Sequence, residues 1–204
     1  MDVFDIFVYG LLVLTSVVGL TFIIERGIAL RRKKVIPSEI QSAVEVCQSP
    51  QDVAMLRRVC QQHESPLGRL LILAADHLSW PKAENEAALQ TRARKEITRL
   101  ERGLVVLEII VGIAPLLGLV GTIAGMMTLF GDLGQTGLND AAKLAKGIAF
   151  ILNATLIGLL IAIPSLIFWS YYNKKVENLA VEMEALCDDF IRPQYRESST
   201  LVEK

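Results

Sequence analysis

The sequence has little of what enzymes and metal proteins use. Its 204 residues include two histidines and three cysteines, and no phosphate-binding glycine loop is present. The net charge of −1 excludes the broad basic field of nucleic-acid-binding proteins. Cys47, Cys60 and Cys187 lack the spacing of a disulfide framework and are interpreted as reduced cytosolic thiols. Cys60 and His63 share a helix face, but two ligands do not make a zinc site. We therefore expect no metal, no cofactor, no nucleic-acid partner and no enzymatic activity.

Charge is also missing from three long runs. Hydrophobic residues make up 52% of the chain although 21% of it is charged, so the charges are segregated. The uncharged runs are residues 6–24, 109–131 and 147–170. A helix of about 20 residues crosses a hydrocarbon core of roughly 30 Å. The sequence therefore predicts an all-α membrane protein with three transmembrane helices.

The flanking charges predict the orientation of these helices. The start "MDVFD" has two aspartates and no basic residue, unlike a signal peptide, whereas "ERGIALRRKK" follows the first run. Basic residues mark the cytoplasmic end, so the topology is N-out, C-in, in the cell membrane. The predicted organisation is transmembrane helix 1 (1–30), a cytoplasmic helical loop (31–104), transmembrane helix 2 (105–131), a periplasmic connection (132–146), transmembrane helix 3 (147–170) and a cytoplasmic helical tail (171–204).

The cytoplasmic parts are helical by pattern. Ser65 and Pro66 stand at capping positions before an apolar run, as Pro37 and Ser38 do earlier in the loop. The stretch from Lys82 onward predicts one amphipathic helix that leads directly into the second span. The tail predicts a helix that continues the third span, with one apolar face formed by Val176, Leu179, Met183, Leu186 and Phe190.

Small residues recur at helical spacing in the second and third spans. They are Ala114, Gly118, Gly121 and Gly125 in the second span and Ala154, Gly158 and Ala162 in the third. Such residues allow helix backbones to approach closely in lipid. Two interpretations fit this pattern: packing within one chain, or packing between copies. We favour a homo-oligomer, because three spans alone leave much of these faces to be covered.

Few polar groups interrupt the spans. Asn153 and Thr155 point about 200° apart around their helix. Thr122 and Thr155 either line a path or return a hydrogen bond to their own helix. Glu108, a possible ionisable site at the membrane edge, either reaches the interface or binds a neighbour's Lys or Arg. Pro115 and Pro164 are expected to kink the spans.

These motifs together resemble a known family. "ERGIALRR", "SPLGRLLILAADH", "RLERGLVVLEIIVGIAPLLGLVGTIAGMMTLF" and "GIAFILNATLIGLLIAIPSLIF" are similar, in this order, to the MotA/TolQ/ExbB proton channel family. The likeness is greatest to its ExbB/TolQ branch and covers nearly the whole chain. The four-span MotA-type flagellar stators fit less well, because three spans are predicted here.

The resemblance implies a homopentamer whose second and third spans line a channel. ExbD/TolR-like single-span subunits would insert there and supply a proton-carrying aspartate. Proton flow would then drive work on a TonB- or TolA-like periplasmic protein. The family's channel threonines correspond to Thr122 and Thr155, and Phe150 and Asn153 are further candidates for the channel wall. Because Asn153 points about 200° away from Thr155, its alternative role is a helix contact or a polar spot near Phe150.

One position departs from the family pattern. Many relatives carry a glutamate five residues before the threonine of the third span, where this chain has Phe150. Phenylalanine cannot titrate, so the partner's aspartate would be the remaining carboxylate at mid-membrane. The alternative is a membrane scaffold that does not conduct protons and supports a secretion or motility assembly.

Overall fold

The computed structural model describes residues 3–49, 51–136 and 141–202, and their side chains over 6–49, 51–131, 144–145 and 147–196. The described residues form helices and loops without a strand, as the sequence predicts. The helices are α1 (Val3–Ala29), α2 (Arg32–Val35), α3 (Ser38–Val46), α4 (Val53–Gln62), α5 (Pro66–Asp76), α6 (Lys82–Glu101), α7 (Leu104–Thr136) and α8 (Ala141–Val202).

Three of the described helices are long and apolar enough to span a membrane. The apolar stretches are Ile6–Ala29, Leu104–Gly131 and part of Gly147–Arg196. They contain the three predicted spans. Helix continues beyond the predicted ends, because α7 reaches Thr136 and α8 begins at Ala141. Of the connection predicted at 132–146, residues 137–140 lie outside the described residues.

The helix that was expected to enter the second span without interruption is broken. α6 ends at Glu101 and α7 begins at Leu104, with Arg102 and Gly103 between them. A Cβ atom at Gly103 would overlap the Arg26 guanidinium, so the side chain of Arg26 occupies the space beside this turn. The amphipathic pattern of the sequence runs through the turn and gives no sign of this contact.

The chain divides into two compact units. The membrane unit consists of residues 1–26 and 103–171 and holds α1, α7 and the first part of α8. Its interior includes Ile110, Ala114 and Ala162, packed against Val18 of α1 and neighbouring apolar residues. Gly19 of α1 lies close to Ile110 and to the Ser165 hydroxyl, where an added Cβ atom would be 3.5 Å from each. α1 therefore packs against both α7 and α8.

The loop unit consists of residues 27–102 and 172–204. Its apolar core joins α3, α4 and α5 to the tail of α8 and contains the three cysteines. The predicted apolar face of the tail is confirmed, since all five of its residues are buried. Ser65 caps α5 by accepting a hydrogen bond from the Gly68 amide at 3.0 Å, with Pro66 in the first turn.

A buried carboxylate fastens α5 to α6 in the loop unit. The Glu96 side chain is fully buried and lies 2.6 Å from Arg69, 3.0 Å from Arg99 and 3.2 Å from Arg92. Burial alone raises the pKa of this carboxyl, but the hydrogen bond from Arg69 and the three positive charges outweigh burial and lower it. Glu96 is thus charged and paired at neutral pH.

Candidate functional site

The small residues of α7 and α8 face each other within one chain. A Cβ atom at Gly158 would lie 2.5 Å from the Ala114 carbonyl oxygen. One at Gly118 would lie 2.8 Å from both the Ala154 carbonyl oxygen and the Thr155 Cα atom. The two backbones are therefore in direct contact, with no side chain between them.

The same contact extends along both helices. A Cβ atom at Gly121 would meet the Ala154 methyl group at 2.9 Å, and one at Gly125 would meet Ile151 at 2.8 Å. Ala162 is also buried on this face. The small-residue stripes are thus used inside the chain, and this corrects the use of the stripes as evidence for packing between copies. An interface between copies would have to use other faces of the helices.

Thr122 and Thr155 lie on the same flank of the α7–α8 pair. Because the two helices are antiparallel, residues displaced in the same rotational sense from their shared contact face come to the same side. Around the axis of α7, Thr122 is rotated in this direction from the contact residues Gly118 and Gly121. Around the axis of α8, Thr155 is rotated in the same direction from Ile151 and Ala154. Both threonines are partly exposed and lie within about one helical turn of each other in depth, as the Gly118 contact with Thr155 indicates.

The opposite flank of the pair is covered by α1. Val8 lies beside Gly121, and Gly19 lies beside Ile110 and Ser165. The Tyr9 ring lies 6.3 Å from the Phe150 ring, centroid to centroid. The flank that carries the threonines instead presents exposed leucines, namely Leu119, Leu152 and Leu159. It is therefore open to a partner.

The Thr122 hydroxyl already donates its proton. It bonds to the Leu119 carbonyl oxygen at 2.7 Å. The hydroxyl oxygen keeps its lone pairs and can accept a hydrogen bond from water or from a protonated carboxyl group. The helix-internal bond and the channel-lining role, which were alternatives in the sequence, are therefore compatible. Thr128 makes a similar bond to the Ala124 carbonyl but lies on a different side of α7.

Asn153 and Phe150 do not join the threonines. Asn153 is exposed on the side of α8 that faces away from α7. Phe150 is 48% exposed and packs toward Tyr9 on the flank covered by α1. Phe150 was predicted to line the channel because relatives often carry a glutamate at this position, and Asn153 because it could restore polarity near it. Five positions on a helix, however, rotate a side chain by about 140°, which moves Phe150 away from Thr155.

The remaining sequence candidates lie near the ends of the spans. Glu108 is exposed one turn into α7. α7 continues through Pro115 and α8 through Pro164, and the predicted kinks stay predictions. Pro164 borders a groove of about 330 Å³ between α1 and α8, which Ser16 and Ser165 also line. In the described part of the chain, no three His, Cys, Asp or Glu side chains come together as metal ligands.

Sequence reasoning missed the residues of α1 that build this site. Tyr9 and Gly19 received no role, since the first span read only as an apolar anchor. Gly19 was the available signal, because a glycine inside a span indicates a close approach. Ser165 was also missed; its hydroxyl donates to the Ile161 carbonyl oxygen at 2.8 Å, which is how a buried hydroxyl is satisfied in a membrane helix.

Comparison with known proteins agrees with this architecture. Residues 62–185 match the MotA/TolQ/ExbB proton channel family, and the matched region includes α7 and most of α8. The chain belongs to this family. It is 33% identical over 166 residues to an ExbB-like biopolymer transport protein of Synechocystis sp., covering 76% of the chain and 63% of that relative.

Two further relatives are named biopolymer transport protein ExbB. The Aquifex aeolicus protein is 31% identical over 105 residues, which are 52% of this chain and 68% of the relative. The Helicobacter pylori protein is 38% identical over 81 residues, which are 40% of this chain and 56% of the relative. The protein is therefore a multi-pass membrane protein of the ExbB/TolQ type.

Proposed function

We propose that the chain is the channel-forming subunit of a complex driven by the proton-motive force in the bacterial inner membrane. Copies of the chain, five by resemblance to the family, surround ExbD/TolR-like single-span subunits. Protons cross at the boundary between them, and the resulting motion does work on a TonB- or TolA-like periplasmic protein. The chain acts as part of a channel and not as an enzyme.

The observation that carries this proposal is the pair of threonine hydroxyls on one open flank. Thr122 and Thr155 are at similar depth, and α1 covers the other flank. With the flank facing the partner helix, a protonated aspartic acid could donate a hydrogen bond to a threonine oxygen. After the proton leaves, the carboxylate needs donors, so water or a reoriented hydroxyl would replace this bond. The hydroxyls thus interact differently with the two protonation states.

The experiment replaces Thr155 with Val in cells that carry the partner subunits. Valine keeps the shape and removes the hydroxyl, so we expect energised transport to fall by about tenfold or more, as for loss of a hydrogen bond to a charged group. Thr128→Val is the control, because it removes a hydroxyl from the same pair of helices on a side of α7 away from the threonine flank. Unchanged transport in Thr155→Val at normal protein levels would remove the proposed role of the hydroxyl.

A non-conducting scaffold is the second candidate. Phe150 favours it, since this position often carries a glutamate in relatives and here holds a ring packed toward Tyr9. A scaffold would leave the complex assembled and would give no proton flux in vesicles. A measurement of proton flux therefore distinguishes the two functions, whereas a measurement of assembly does not.

A further inference from the structure

The outer face of α8 carries a polar group that lipid cannot satisfy. Asn153 is exposed, six residues inside the third predicted span, and lies on the side turned away from α7. Its neighbours on this face are large and apolar, with Leu156 54%, Leu160 61% and Ile163 54% exposed. Hydrocarbon offers no hydrogen bond to an amide, so an amide at this depth is expected to face protein or water and not lipid.

The outer face of α7 is a second uncovered surface, on the opposite side of the pair. It presents Ile113, Leu116, Val120, Ile123 and Met127, which are 44–72% exposed. Gly112 also lies on this face, and a Cβ atom there would meet nothing within 4 Å. Leu160 borders the groove between α1 and α8 but stays 61% exposed, so neither the α7–α8 contact nor α1 buries either outer face.

These two faces fit a head-to-tail contact between copies. In a ring whose threonine flanks point inward and whose α1 helices point outward, the α8 face of one copy meets the α7 face of the next. Such a contact uses two different surfaces, repeats around the ring and closes it. A second copy is thus the occupant that covers both faces at once and places protein beside Asn153.

The depth of the residues fixes the register of this contact. Within one chain, Gly118 is level with Ala154 and Thr155, Gly125 with Ile151, and Gly158 with Ala114. Copies inserted with the same orientation keep equal residues at equal depth. By this rule Asn153 is level with Val120, and Leu160 is level with Ile113.

We propose that the α8 face centred on Asn153 and Leu160 docks against the α7 face centred on Val120 and Ile113 of a second copy. This inference rests on the proposed oligomeric channel, because it takes the threonine flank as the inner side. The Asn153 amide then forms its hydrogen bonds to the neighbouring copy and holds the two helices in register, as a single polar residue does in other helix pairs.

Cysteine cross-linking tests the register. A chain with Ile113→Cys and Leu160→Cys carries two thiols on opposite outer faces, which cannot reach each other within one copy. Oxidation is therefore expected to give a ladder of linked copies. The matched control combines Met127→Cys with Leu160→Cys, which places the thiols about 21 Å apart in depth and should give no ladder. The native cysteines are buried and contribute little background.

The outcomes separate this inference from the proposed function. A complex of multimeric mass that transports normally, but links only in the control pair or in neither pair, overturns the docking surface and leaves the function standing. A monomeric chain overturns both. Asn153→Leu should weaken the matched link by about threefold or more, the size of one interhelical hydrogen bond, and Asn153→Gln should restore it. Equal linking in Asn153→Leu would overturn the role of the amide.

Discussion

At Gly158, the backbone of α8 approaches the Ala114 carbonyl oxygen too closely for a methyl group. Gly158→Ala is therefore expected to lower the free energy of unfolding by about 1–3 kcal/mol, as overpacking does elsewhere. Gly10→Ala is the control, since it adds the same atom to open space on α1 and should be neutral or stabilising by up to about 1 kcal/mol. Unfolding in mixed micelles with increasing SDS measures both. Equal stability of the two variants would contradict the packing described for α7 and α8.

The thiols provide a second prediction at the scale of the residue. Burial, with smaller effects from nearby groups, raises the pKa of Cys60 to about 11 and that of Cys187 to about 12. Thiolates react and thiols do not, so the folded protein should label slowly with maleimide even at pH 9. Ser42→Cys, at an exposed position of α3, should label rapidly in the same protein. Rapid labelling of native Cys187 before unfolding would show that the loop unit is not packed as described.

The packing residues were more predictable than the site. The spacing of the small residues in α7 and α8 predicts a close helix contact. The spacing does not indicate whether the partner helix belongs to the same chain. Thr122 and Thr155 could be chosen from the sequence because they match the channel threonines of the family that the chain resembles. Their shared flank could not, since it depends on where α1 packs. The position of Phe150 could not be predicted for the same reason, because its contact with Tyr9 has no sequence signature.

At the scale of the element, Glu96 holds α5 and α6 together through three arginines. Glu96→Gln leaves these charges without their partner, and we expect a loss of about 2 kcal/mol at pH 7. That figure lies below the range for fully buried pairs because Arg69 and Arg99 are partly exposed to water. Thermal unfolding of the purified protein measures it. Glu101→Gln, an exposed change on the same helix, should cost little.

The effect of pH on this element follows from the lowered pKa of Glu96. When the folded-state pKa lies below the unfolded value, the stabilisation is present above the unfolded pKa and is lost as the pH falls through the folded one. The stability difference between the wild type and Glu96→Gln should therefore shrink in acid and stay constant from pH 6 to 8. A difference that grew in acid would contradict the assignment of Glu96 as a charged, paired group.

Helix ends were harder to predict than helices. The tail face of α8 was predicted in full, because its 3.6-residue pattern is strong and its partners are apolar. The break between α6 and α7 was not predicted; at this turn Gly103 lies against the side chain of Arg26, which is far away in the sequence. The Glu96 cluster had a signal that could have been used: Arg92, Glu96 and Arg99 stand at the i,i+3 and i,i+4 spacings of helix ion pairs.

At the scale of the whole molecule, the surfaces of the α7–α8 pair in the membrane unit differ in their chemical character. One flank of the α7–α8 pair is covered by α1, the other shows two hydroxyls, and the outer faces of both helices are apolar apart from Asn153. The family and the three spans follow from the sequence, because its motifs are long and ordered. The number of copies and the direction each flank faces belong to the assembly, so no single chain determines them.

Proton flux in reconstituted vesicles tests the central claim most directly. Vesicles would contain the purified complex of this chain with its single-span partner, a potassium diffusion potential and a pH-sensitive dye. The account predicts proton entry with the wild-type complex and with Thr128→Val, and a rate lower by about tenfold or more with Thr155→Val. A wild-type complex that assembles but passes no protons, or a Thr155→Val complex that passes them at the wild-type rate, would contradict it.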